Sequence, residues 1–206
     1  MKESIEYCNL EYNEIINNLK QKIQDHPDNP ENYVMLGTTL ALSGKIEESL
    51  NIYNELLKID PDNIQAIINS GSALFLTGKT NEAREQYLKA ISIAPKNFAP
   101  YMNLASIYAE EGKYEEAILY YQKSIDLNPD NPELYESIGL IYQDLQEFDR
   151  AIEYYQKAID LAPANYEYYV DLASVYMQKS DFEKAISLYS KAFELNNTDF
   201  KSLICI

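Results

Sequence analysis

The sequence predicts an all-α solenoid of antiparallel helix pairs, on three observations. Pro27, Pro61, Pro95, Pro129 and Pro163 recur every 34 residues with no insertion. Two residues after each comes an asparagine: Asn29, Asn63, Asn97, Asn131 and Asn165. Between these marks, two stripes of apolar and small residues repeat at helical spacing. The proline lacks an N–H and fixes φ, so it stops a helix; the asparagine oxygen can accept a first-turn N–H, so it starts the next.

Counting the proline as position 32 divides the chain into units 30–63, 64–97, 98–131, 132–165 and 166–199, with Asn197 in the proline place of the last. In the first helix of each unit, position 4 holds Tyr33, Ile67, Tyr101, Tyr135 and Tyr169, and position 7 holds Leu36, Ser70, Leu104, Ile138 and Leu172. Position 8 is small throughout (Gly37, Gly71, Ala105, Gly139, Ala173), and position 11 is Leu40, Leu74, Tyr108, Tyr142 and Tyr176. At ~100° per residue these four positions share one stripe, predicted to be buried, and the small residue lets a partner helix approach. Gly44, Gly78 and Gly112 at position 15 suit a left-handed turn, and Gln146 and Ser180 show that the residue there need not be glycine. In the second helix, Ser49, Ala83, Ala117, Ala151 and Ala185 (position 20) and Leu56, Ala90, Ser124, Ala158 and Ala192 (position 27) flank Tyr53, Tyr87, Tyr121, Tyr155 and Tyr189 (position 24). A ring between two small residues fits close antiparallel packing.

Residues 1–29 are predicted to form one long amphipathic helix capping the first unit, with Ile15, Ile16, Leu19 and Ile23 inward and Ile5, Cys8 and Tyr12 extending that face. At the other end, Phe200, Leu203 and Ile206 match positions 1, 4 and 7 of a sixth unit. Residues 200–206 therefore read either as the start of that unit in a longer protein or as a stub packed on the fifth.

The Gly or Ala after Leu, Tyr at 11, Ala at 20, Tyr at 24, Ala at 27 and Pro at 32 resemble the tetratricopeptide repeat. Ala151-Ile152-Glu153-Tyr154-Tyr155-Gln156-Lys157-Ala158 is similar to its second helix, whereas Leu56, Ser70 and Asn197 depart from the pattern. The resemblance covers residues 30–199. It implies a right-handed superhelix whose first helices line a peptide-binding groove, and it implies no chemistry.

Composition narrows the function. A net charge of −16 repels phosphate backbones and anionic surfaces, so neither nucleic acid nor membrane is an expected partner. No apolar run reaches the length of a signal or a membrane span, and the chain reads as cytoplasmic. Cys8 and Cys205 lie near opposite ends and read as unpaired thiols. The single histidine, His26, has no partner for acid–base or metal chemistry, and no phosphate loop or nucleophile motif is present, so no enzyme activity, metal or cofactor is expected. The tyrosines at positions 4, 11 and 24 read as core.

Positions 2, 5, 6, 9, 12 and 13 turn to the opposite side of the first helix, which the resemblance makes the ligand face. There the earlier units offer Val34, Met35, Thr38, Leu42, Ile68, Asn69, Ser72, Phe75, Leu76, Met102, Asn103 and Ser106. The later ones offer Glu110, Glu133, Glu136, Asp144, Glu167 and Asp171, with no Lys or Arg at these positions. A protein or peptide partner with apolar anchors followed by basic residues is expected. Asn69 and Asn103, at position 6 of consecutive units, can donate to and accept from a peptide backbone, and are similar to the asparagine ladders of some peptide-binding tetratricopeptide proteins. The family's carboxylate clamp would need Lys, Asn, Lys and Arg where Val34, Thr38, Ala99 and Asn103 stand, so a chaperone tail is not expected. The sequence thus favours a non-catalytic interaction module or adaptor. Its alternatives are the recruiting domain of a larger enzyme continuing past Ile206, and a scaffold that dimerises through residues 200–206.

Overall fold

A computed structural model describes the backbone of residues 2–204 and the side chains of residues 12–196. Eleven helices account for the regular structure of the described residues. They are α1 (Lys2–Asp25), α2 (Pro30–Leu42), α3 (Ile46–Ile59), α4 (Ile64–Leu76), α5 (Thr80–Ile93), α6 (Ala99–Glu110), α7 (Tyr114–Leu127), α8 (Pro132–Asp144), α9 (Phe148–Leu161), α10 (Tyr166–Gln178) and α11 (Phe182–Ile204). They fall into two compact units, residues 1–107 and 108–206.

Each boundary follows from local chemistry. The Oδ1 atoms of Asn29, Asn97, Asn131 and Asn165 accept the N–H two residues on at 3.0 Å, and that of Asn63 accepts the Ala66 N–H. Asp60, Ala94, Asn128 and Ala162, each directly before a proline, leave the helix with φ between −144° and −128° and ψ between 71° and 85°, because the proline ring disfavours helical backbone in the residue before it. Between the helices of each pair, the position-15 residue has positive φ in all five units: 80°, 78° and 71° at Gly44, Gly78 and Gly112, 58° at Gln146 and 61° at Ser180. The following N–H reaches back five residues, as from Lys45 to the Leu40 carbonyl and from Glu147 to that of Tyr142, which closes the helix end. The left-handed turn is thus constant although the residue making it is not.

Packing within a pair rests on position 8. A Cβ built on Gly37, Gly71 or Gly139 would lie 2.4, 2.6 or 3.0 Å from the ring of Tyr53, Tyr87 or Tyr155, so the ring occupies the space that the glycine leaves. Between successive pairs, positions 3 and 10, absent from the predicted stripe, are core: Ala66, Leu134 and Tyr168, and Ala73, Ile107, Ile141 and Val175, are buried. In the second unit Tyr168, Leu172 and Val175 of α10 close over Ala151, Tyr155, Ala158 and Ile159 of α9.

Three expectations need correction. Tyr101, Tyr135, Tyr169, Tyr108, Tyr142 and Tyr176 are half-buried rather than core. The position-4 hydroxyls of Tyr101, Tyr135 and Tyr169 donate to the carbonyls of Pro95, Pro129 and Pro163 at 3.0–3.1 Å, which holds those rings at the rim, whereas Tyr33, which bonds Pro27 in the same way at 3.2 Å, is buried. In α1, Ile16 and Leu19 pack on Leu36 and Leu40 of α2, but Ile15, one residue and ~100° away, is exposed. At Asn197 no turn occurs: α11 continues to Ile204, because asparagine retains the N–H and the free φ that proline lacks. The side chains of residues 200–206, and those of Cys8 and Ile5, lie outside the described residues.

Candidate functional site

In the first unit, the ligand-face residues of α2 and α4 border a cleft of 240 Å³ lined by Thr38, Ala41, Leu42, Tyr53, Asn69, Ser72, Ala73 and Leu76. Its wall is mostly apolar, with Leu42 and Leu76 exposed at the mouth. Its floor is polar because the position-24 rings thread between helices and end there. The Tyr53 hydroxyl meets Thr38 Oγ1 at 3.2 Å, and the Tyr87 hydroxyl meets Ser72 Oγ at 3.2 Å. Asn69 extends the network, donating to Thr38 Oγ1 at 3.4 Å and accepting from Gln65 Nε2 at 2.9 Å. A carboxamide has two N–H donors and two lone pairs, so these bonds use half its capacity. Burial pushes the Tyr87 phenol up from its ordinary value, so that hydroxyl acts as a neutral hydrogen-bonding group.

Of the other residues expected here, Val34, Phe75, Met102, Asn103 and Ser106 are half-buried. Ile68 is 5% exposed and part of the core, so it is not available to a ligand. Position 5 sits at the edge of the buried stripe, and in α4 the neighbouring helices close over it.

The second unit holds a different arrangement. Glu136 of α8 and Asp171 of α10 are half-buried and hydrogen-bonded to one another, beside a 450 Å³ cleft lined by Glu136, Tyr166, Glu167, Val170 and Asp171. Burial, then the charges of Asp171, Glu167 and Glu133, push Glu136 up from 4.5 to about 7. Burial likewise raises Asp171, while the hydrogen bond from Glu136 lowers it. The pair therefore shares a proton near neutrality, with Glu136 as donor. Beneath it, the Tyr155 hydroxyl donates to Gln143 Oε1 at 2.9 Å, Gln143 Nε2 donates to Ser174 Oγ at 2.9 Å, and Ser174 Oγ donates to the Asp171 carbonyl at 2.7 Å, joining α9, α8 and α10. Glu110 and Asp144 are exposed and stand apart from the pair; Asp144 accepts from the Tyr114 hydroxyl at 3.3 Å.

Four cations of this unit are engaged away from the cleft. Lys179 pairs with Asp149, Arg150 with Glu147 at 3.0 Å and Lys184 with Asp181 at 2.9 Å, and Lys157 lies over the Tyr135 and Tyr154 rings. Among the described residues, no group of three or more His, Cys, Asp or Glu side chains is arranged to hold a metal, and no helix is long and apolar enough to cross a membrane.

Sequence families described as tetratricopeptide repeats match residues 11–69, 71–110, 105–146 and 137–199. The chain belongs to the tetratricopeptide repeat family. Among solved structures of the same fold, MamA is 26% identical, with a TM-score of 0.70 over 81% of this chain and 97% of that one. YrrB, described as a tetratricopeptide protein with an unusual peptide-binding site, is 18% identical, with a TM-score of 0.61 over 91% and 96%. A chain of the APC/C Cut9–Hcn1 hetero-tetramer is 20% identical, with a TM-score of 0.78 over 91% of this chain and 37% of that one. No characterised protein sequence matches. The fold and the family mark this chain as a protein–protein interaction module.

The sequence missed the position-24 hydroxyls. A tyrosine among small residues signals packing, and only the recurrence of Thr or Ser at position 9 in four of the five units (Thr38, Ser72, Ser106, Ser174) hints that its oxygen has a partner.

Proposed function

We propose that this chain is a non-catalytic adaptor whose first helices bind an extended segment of a partner protein, taking apolar side chains in the first unit and Lys or Arg in the second. The observation that carries this reading is the contrast between the two clefts. One is an apolar pocket over a floor of neutral hydroxyls and a carboxamide, and the other is a carboxyl pair flanked by Glu133 and Glu167. An apolar anchor in the first gains by leaving water, while Thr38, Asn69 and Ser72 can meet the neighbouring peptide bonds. A cation at the second compensates charges that repel one another, and its arrival releases the shared proton. By its description YrrB binds a peptide, which agrees with this use of the fold.

Fluorescence anisotropy with labelled peptides at two salt concentrations tests the reading. A peptide with apolar residues followed by Lys or Arg should bind, more weakly at high salt; a peptide of the same apolar residues with Glu should not. Equal or stronger binding of the acidic peptide would overturn it.

A further inference from the structure

The hydroxyls beneath the first helices differ in what they have left to donate. Ser72 donates to the Ile68 carbonyl at 3.2 Å and so accepts from the Tyr87 hydroxyl, which spends both hydrogens. In the second unit Tyr155, Gln143 and Ser174 donate in turn and end on the Asp171 carbonyl, which spends the Tyr155 and Ser174 hydrogens. The 240 Å³ cleft is different. Among the described residues, Thr38 Oγ1 accepts from Asn69 and shares one hydrogen bond with the Tyr53 hydroxyl, so whichever of the two oxygens donates, one O–H is left over. It is Thr39, not Thr38, that bonds back along the helix, to the Met35 carbonyl. Asn69 keeps a second N–H and a second lone pair beside it. Thr38 is exposed and Asn69 half-buried, so a ligand can reach both. The Tyr53 oxygen is fixed in place, because its ring fills the space at Gly37, where a Cβ would lie 2.4 Å from the ring.

We propose that the first cleft takes a tyrosine of the partner segment, its ring between Leu42 and Leu76 and its hydroxyl on Thr38, Tyr53 and Asn69. This rests on the reading of the first helices as the binding face and names the anchor. A phenol both accepts and donates: it can take the leftover hydroxyl hydrogen or the Asn69 N–H, and give its own hydrogen to Asn69 Oδ1. Its apolar ring matches the wall of Ala41, Leu42, Ala73 and Leu76. Leucine or phenylalanine fills the same wall, but it covers the floor without pairing it and cuts those polar groups off from water. A main-chain peptide group would have to pass the two leucines at the mouth and bring its own N–H against an apolar wall. Serine has the polar tip without the apolar body. A site that hydrogen-bonds a hydroxyl discriminates against the analogue lacking it, and in a cleft open at its mouth the preference for tyrosine over phenylalanine is expected to be about tenfold.

Fluorescence anisotropy of the full chain with four labelled peptides, identical except for Tyr, Phe, Leu or Ala ahead of a Gly-Ser linker and a Lys-Arg tail, tests this. The Tyr peptide should bind tightest, about tenfold tighter than Phe, and the Ala peptide weakest. In Thr38→Val, which keeps the branched shape and removes the hydroxyl, the Tyr and Phe peptides should bind alike, with the helical circular dichroism signal unchanged because Thr38 is exposed. Phe or Leu binding the wild-type chain as tightly as Tyr would overturn the tyrosine assignment and leave the apolar-and-basic reading of the two clefts standing. Ala binding as tightly as the other three would overturn both. A Tyr preference that survives in a folded Thr38→Val would place the partner's hydroxyl elsewhere and likewise overturn the proposal. The comparison of peptides on the wild-type chain decides the question even where the variant does not fold.

Discussion

At pH 8, Glu136→Gln is expected to stabilise the protein by about 1–2 kcal/mol; at pH 5 it should change stability far less. The native fold holds the Glu136 proton up to about pH 7, whereas the unfolded chain gives it up near 4.5. As pH rises between these values the unfolded state loses its proton first, so stability falls, and above about 7 the full penalty of an ionised Glu136 is present. At 1.36 kcal/mol per unit, the gap would cost about 3 kcal/mol in a sealed site. Glu136 is half-buried, and screening by the solvent it still sees reduces this to roughly half. Glutamine has the same shape, keeps an N–H for Asp171 and never ionises. Thermal unfolding followed by circular dichroism should show a midpoint raised by about 2–8 °C at pH 8, at 2–4 °C per kcal/mol for a chain of this size, and nearly unchanged at pH 5. An equal shift at both values, or a loss at pH 8, would refute the reasoning.

Gln146→Gly and Ser180→Gly should each raise stability by about 1 kcal/mol, seen as higher melting midpoints, because a side chain at positive φ is strained and glycine is not; no gain at either site would count against the strain. Ser49 is fully buried with no hydrogen-bond partner for its hydroxyl, where the other units have alanine, so Ser49→Ala should gain about 1 kcal/mol in chemical denaturation. Replacing Asn69 and Asn103 together by Ala should weaken a bound apolar-basic peptide while leaving the helical circular dichroism signal unchanged; an unaltered affinity would remove them from the site.

What could be read from the sequence follows from how locally each feature is determined. Proline, asparagine and the position-15 turn act on the backbone within a few residues, so their 34-residue spacing determined the helix boundaries in advance. At Asn197, where the sequence departs from the proline pattern, the helix runs on because the proline chemistry is missing there. Burial depends on what is stacked alongside: Ile68 and Met102 both occupy position 5, yet Ile68 is sealed and Met102 is not, and Tyr189 is exposed although its four counterparts are core. In the candidate site, the residue types of the ligand face were legible from helical geometry. The pairing of Glu136 with Asp171, 35 positions apart on different helices, was not. It depends on the offset between successive pairs, as does the reach of Tyr53, Tyr87 and Tyr155 to that face.

The central claim is that the first helices carry the binding face, and chemical-shift mapping of the isotope-labelled full chain with an apolar-basic peptide tests it most directly. The account predicts that the largest changes cluster at Thr38, Asn69 and Ser72 and at Glu136 and Asp171, with the second helices little affected. Changes concentrated on α3, α5, α7 or α9, with those five residues unmoved, would contradict it.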